Sequence, residues 1–160
     1  MTYDNSAYDA VYSAVVSRLS RPGVTVGKSA FLPRVEIHSI TEGQRQDKGG
    51  DVRQLELTVE SISNASLADA VTMNEKNLKL LTENALNLGT SWTCLGVIPV
   101  QLQDLTESSD SDKIIYRLLQ QVSIIVQRYD DDEEEAETDI PIEPDPEDPP
   151  VDPEVEDQND

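Results

Sequence analysis

One cysteine and one histidine in 160 residues cannot assemble a Cys/His zinc centre, a paired-thiol redox site or an internal disulfide. No stretch approaches the roughly 18 consecutive apolar residues that a membrane span requires. The start, Met1-Thr2-Tyr3-Asp4-Asn5, has neither the basic region nor the apolar core of a secretion signal. A soluble chain made in the cytoplasm, with no membrane partner, is therefore expected. No glycine-rich strand-to-helix turn of the dinucleotide or P-loop type occurs, which removes the usual phosphate cradle and disfavours nucleotide enzymes. Basic residues are also scarce, 12 Lys plus Arg against 32 Asp plus Glu, and they are scattered. Sequence-specific DNA binding lacks its electrostatic footprint.

The charge is unevenly placed. Residues 1–129 hold all 12 basic residues and 15 of the acids, a balance of -3, whereas 130–160 hold 17 acids, no Lys or Arg, and six of the nine prolines. The second segment has too few large apolar groups to offset the entropy of ordering its backbone, and its charges repel one another. The expected organisation is one folded domain, 1–129, followed by a disordered, acidic, Pro-rich extension, 130–160.

Within the domain the hydrophobic period changes along the chain. Tyr8, Val11, Tyr12, Val15, Val16 and Leu19 fall on one helical stripe, with Asn5 or Ser6 available as a cap and Ser20-Arg21-Pro22-Gly23 as a stop. Alternation then takes over at Val35, Ile37 and Ser39, and again at Leu55, Leu57, Val59 and Ser61, predicting two strands joined by a long charged loop from Thr41 to Gly50. Ser66 is placed to cap a second helix. In it Leu67, Val71, Asn74, Leu78, Leu81, Ala85 and Leu88 recur at steps of three and four until Gly89. Trp92–Gly96 reads as a connector and Val97–Leu105 as a strand interrupted or edged by Pro99. After a polar turn at 108–112, Ile114, Tyr116, Leu118, Val122, Ile124 and Val126 alternate over a final strand of about 15 residues. The expected fold class is α/β in the broad sense, α+β in detail: a four-stranded, mainly antiparallel sheet with two helices in the order α-β-β-α-β-β. The second helix should cross the sheet face bearing Leu55, Leu57, Val59, Tyr116, Leu118 and Val122.

Few residues invite chemistry. His38 is the single group with an ordinary pKa near neutrality, but no Ser/His/Asp set can be assembled around it, and its position between Glu36 and Ile40 reads as solvent-facing. Cys94, beside Trp92 and Leu95, reads as packing. The run Asp130–Glu135 lacks the glycine and ligand spacing of a calcium loop, and Asn64-Ala65-Ser66 is better used as a helix start than as a glycosylation acceptor. No catalytic, metal or cofactor residues are assigned, and the expectation is a protein that is not an enzyme.

The element order carries a resemblance, together with Leu32-Pro33-Arg34-Val35-Glu36-Ile37 leading into the first strand and Ser66-Leu67-Ala68-Asp69-Ala70-Val71 in the second helix. Over roughly residues 5–128 the chain resembles the tail terminator and tail completion proteins of tailed bacteriophages. The resemblance implies a small α/β subunit that assembles as a ring, commonly a hexamer, at the head-proximal end of the tail tube. Its implied partners are further copies of itself, the tail tube protein, neck or connector proteins, and genomic DNA that passes through the lumen without specific binding. The implied place is the virion, in tail or neck, after assembly in the host bacterial cytoplasm. A neck or head-completion (head–tail joining) protein is the nearest alternative. A small binding module that mimics DNA with its acidic end is a second alternative of a different class.

A ring subunit must bury surface against its neighbours. Ile115, Leu119 and Ile125 interleave with Arg117 on the face of the final strand opposite its main apolar stripe, which makes these four the candidate subunit interface. Arg45, Asp47 and Lys48 in the long charged loop are the candidate assembly contacts.

Overall fold

The computed structural model describes residues 7–45, 51–108 and 113–129. The expected extension, 130–160, lies outside the described residues, as do Asp47 and Lys48. The elements run α1 (Ala7–Leu19), β1 (Thr25–Val26), β2 (Arg34–Arg45), β3 (Val52–Ser63), α2 (Leu67–Thr82), β4 (Trp92–Asp104), β5 (Glu107–Ser108) and β6 (Ile114–Arg128). The fold is mixed α+β with two helices on one sheet.

The sheet has six strands where four were expected. Its order is β1-β2-β3-β6-β4, with β5 also pairing β6. The four long strands are the four read from the alternation. The additional pair, β1 and β5, are two residues each, too short to leave a periodic signal. Every pairing is antiparallel except β1 with β2. The order is therefore α-β-β-β-α-β-β-β.

The register divides the sheet into two faces. Leu55 stands opposite Ile124, Leu57 opposite Val122, Val59 opposite Gln120 and Ser61 opposite Leu118. Both helices pack on this face, and the core forms there from Val11, Val15, Leu19, Val35, Leu55, Leu57, Val59, Leu81, Val122, Ile124 and Val126. α1 packs on β2 and on α2, while α2 spans β3, β6 and β4. α1 buries Ala7, Val11, Val15 and Leu19, a strict step of four, and leaves Tyr8 and Tyr12 exposed with their rings stacked 6.4 Å apart.

α2 is shorter than expected and turned. Ser66 caps it as read, accepting from the Asp69 backbone N–H at 3.0 Å, but the helix ends at Thr82 rather than Leu88. Arg18 reaches across from α1 and donates to the carbonyls of Leu80, Asn84 and Ala85, satisfying acceptors that the helix end leaves open. Leu86 and Leu88 are still buried, from irregular chain, and Gly89 with φ 83° turns that chain instead of closing the helix. The buried stripe is Ala70, Met73, Asn74, Asn77 and Leu81, whereas Leu67 and Val71 are exposed. The cause is polar. Below this helix the sheet offers Ser61 and Gln120, and the Asn77 amide donates to the Ser61 hydroxyl at 2.9 Å, so an asparagine occupies a position that a count of apolar residues assigns to leucine.

Two stretches expected as loops are strand. β2 continues to Arg45, paired with Val52, so the hairpin is longer and its tip smaller than the Thr41–Gly50 loop suggests. A bulge between His38 and Thr41, with Ser39 at φ 49°, breaks the period of two and hides the continuation. β4 begins at Trp92 rather than after Gly96. Its bulges at Cys94/Gly96 and Pro99/Gln101 hide it in the same way. Trp92 is buried, with the Arg53 guanidinium 4.8 Å and that of Arg128 6.0 Å from its ring centroid. Cys94 is a free thiol packed against the core, as read.

Candidate functional site

Among the described residues the helices cover one face of the sheet only. The opposite face is built from the alternate positions: Arg34, Glu36 and His38 on β2, Gln54, Glu56, Thr58, Glu60 and Ile62 on β3, and Arg117, Leu119, Gln121, Ser123 and Ile125 on β6. All four candidate interface residues lie on it. Ile115 is exposed at 37%, and Arg117, Leu119 and Ile125 are half-buried among their strand neighbours. The assembly-loop candidates are not brought together in the described residues: Arg45 ends β2, and Asp47 and Lys48 fall outside.

At the β2 side of this face is an ion-pair network that the sequence reading missed. Glu60 stands directly opposite Glu36 in the β2–β3 ladder, with His38 one step along. Left unpaired, two facing carboxylates would repel. Each is held by an arginine: Glu36 Oε1 accepts from Arg34 Nε at 2.6 Å, and Glu60 Oε1 accepts from Arg117 Nε at 2.5 Å. The remaining oxygens converge on His38 Nε2, at 2.6 Å for Glu60 Oε2 and 3.3 Å for Glu36 Oε2. His38 is thus a member of a paired cluster rather than a free solvent-facing group. Glu60 is 1% exposed on a face that no other layer covers, because its partners' own side chains seal it. Burial by itself raises the Glu60 carboxyl, but the hydrogen bonds from Arg117 and His38 together outweigh that and hold it below the ordinary glutamate value. The same bond to Glu60 raises Arg117.

Glu36, His38 and Glu60 bring three donor atoms within 4.8 Å of one another, a spacing a metal ion could use. Two arginines already neutralise the two carboxylates, however, and His38 bridges the oxygens that remain. Internal pairing accounts for every one of these distances. The signal in the sequence was Glu36-x-His38 on one strand face. Glu60 and Arg117 join it only through register, 22 and 79 residues further along the chain from His38.

The β4 edge is of a different character. From Trp92 to Gln103 there is no charged residue, and Leu95, Ile98, Val100 and Leu102 are each about half exposed. Ile98 and Ile125 lie near one another on the uncovered face, since Gly96 pairs with Ile125 and Ile98 with Ser123. No helix among the described residues is long and apolar enough to cross a membrane.

No protein-family model matches the chain. No curated protein matches it either. Among solved structures, the fold is similar to that of a chain in the virion of a native gene transfer agent particle, with a TM-score of 0.53 at 13% identity, covering 76% of this chain and 92% of that one. At that identity the likeness is one of fold.

Proposed function

We propose that the chain is a structural subunit of a phage-like virion and, more finely, a tail terminator or tail completion subunit that closes into a ring at the head-proximal end of the tail tube. The observation that carries the reading is the shared fold: a chain of a gene transfer agent virion is matched over 92% of its length. The order of helices and long strands, and the segments 32–37 and 66–71, point by resemblance to the same class. A neck or head-completion role uses the same surfaces and is the nearest alternative.

The physical requirements of such a subunit fit what is on the molecule. A ring protein needs a rigid body that presents surface to neighbours on two sides and to a stacked component along the axis. Here one sheet face is sealed by helices, and the other carries Ile115, Leu119 and Ile125 between polar groups that are already paired with one another. Such a face can be covered by another subunit without stranding a charge, because Glu36 and Glu60 bring their counter-ions with them. A chain whose formal charge is -20 also lines a DNA passage without the counterion-release attraction of a basic channel. On this reading the protein carries no catalytic site.

Replacing Ile115, Leu119 and Ile125 together with Ser tests the role of the face. Loss of oligomers or of tube capping, with the monomer's circular dichroism intact, is the expected result. Full assembly by the folded triple variant would remove this face from the interface, and unfolding would assign the three residues to the monomer's own stability.

A further inference from the structure

Two groups of exposed apolar residues lie at opposite sides of this domain. On one side is the β4 edge with Leu95, Ile98, Val100 and Leu102, exposed at 49–54% and continuous with Ile125 on the uncovered face. On the other is α1, which packs over β2 and leaves the stacked pair Tyr8 and Tyr12 at 40% and 43% exposure. β2 and β4 are separated in the sheet by β3 and β6, so the two patches sit at different edges of the domain. Isolated exposed apolar residues are ordinary. Four on one charge-free strand, and two aromatic rings stacked in solvent, are what a contact surface retains.

Resting on the ring reading, we propose that these patches are the two halves of one head-to-tail contact: the tyrosine pair on α1 of one copy packs against the β4 edge of the next. Charge selects the occupant. Two copies of a chain with a net charge of -20 repel, so a contact between copies is cheapest where acids are absent. Trp92–Gln103 has no charge, and α1 carries only Asp9 and Arg18, the latter committed to carbonyls of Leu80, Asn84 and Ala85. Geometry selects the mode. The contact does not extend the sheet, because Pro99 lacks an N–H and the bulges at Cys94/Gly96 and Pro99/Gln101 interrupt the row of backbone groups that an added strand would need. Side-chain packing is left, and rigid aromatic rings serve it at low entropic cost. Because the two patches differ and lie at opposite sides, the contact is heterologous, the type that propagates around a ring instead of stopping at a pair.

Two double variants of the full chain test this, with oligomeric mass read by sedimentation velocity over a wide concentration range. One is Tyr8→Glu with Tyr12→Glu, which disables the helix patch, and the other is Val100→Glu with Leu102→Glu, which disables the edge. All four positions are exposed, so both variants should keep the wild-type circular dichroism. Should either misfold, Ser replaces Glu. The expected result is that each variant alone is monomeric and that an equimolar mixture forms a dimer and nothing larger, since one intact helix patch meets one intact edge. Wild-type oligomers from either variant alone would overturn the head-to-tail contact while leaving the ring reading in place. Dimers of the helix variant alone would show an edge-to-edge pair instead. A mixture that stays monomeric would show that the patches do not meet. A wild type that stays monomeric throughout would overturn this contact and the ring reading together.

Discussion

Glu60 is the residue whose replacement examines the uncovered sheet face most sharply. Glu60→Gln keeps the shape of the side chain and removes its charge. Arg117 then loses its partner at 2.5 Å, and His38 loses its contact at 2.6 Å. Breaking a fully buried pair typically costs about 3–5 kcal/mol because the survivor is stranded. Arg117 is not stranded in full, since its side chain is 30% exposed and can rehydrate, so the expected cost is smaller, roughly 1–3 kcal/mol. For a domain of this size that lowers the thermal midpoint by roughly 4–12 °C. The pH dependence is more diagnostic than the size. The folded carboxyl lies below the ordinary glutamate value of about 4.3, so its contribution is complete above that value and is lost as pH falls through the folded one. Midpoints followed by circular dichroism should therefore show a wild-type advantage at neutral pH that closes on acidification below about pH 4. Adding Arg117→Met should cost much less in the Glu60→Gln background than in the wild type, the mark of a direct coupling. An advantage that is absent at neutral pH, or constant down to about pH 3, would refute the ion-pair account.

Leu81→Ala, at a fully buried position, should cost about 2–5 kcal/mol, while Leu67→Ala and Val71→Ala should cost under about 1 kcal/mol; equal losses in denaturant titrations would restore the stripe read from the sequence. Arg18→Ala should destabilise by about 1–2 kcal/mol and speed amide exchange at the α2 C-terminus, because three carbonyls lose a charged donor. Unchanged exchange there would make Arg18 dispensable. Truncation after Tyr129 removes 17 acidic residues and should leave the thermal midpoint unchanged or slightly higher; a clear loss of stability would show that 130–160 supports the fold.

The long strands and both helices were legible because burial on one face imposes a period, and that period survives in Leu55-x-Leu57-x-Val59 and in the β6 alternation. What escaped did so for local reasons. Bulges at Ser39/Ile40, Cys94/Gly96 and Pro99/Gln101 shift the alternation by a residue, and so 41–45 and 92–96 read as loop. Asn74 and Asn77 occupy buried helix positions because the sheet beneath them is polar, a match that no single segment contains. The network of Arg34, Glu36, His38, Glu60 and Arg117 depends on the register of three strands. Hydrophobic pattern fixes which face a strand buries but not which residues of distant strands become neighbours. The apolar β4 edge was present in the sequence as 12 residues without a charge, and its exposure follows from its place at the end of the strand order.

Native mass spectrometry of the purified full chain, with electron microscopy of the same sample, tests the claim of a ring-forming virion subunit most directly. The account predicts one closed species, annular in projection, with a copy number that does not change with concentration and is six on the family resemblance. A monomer at every concentration, or a dimer that adds no further copies, would contradict it.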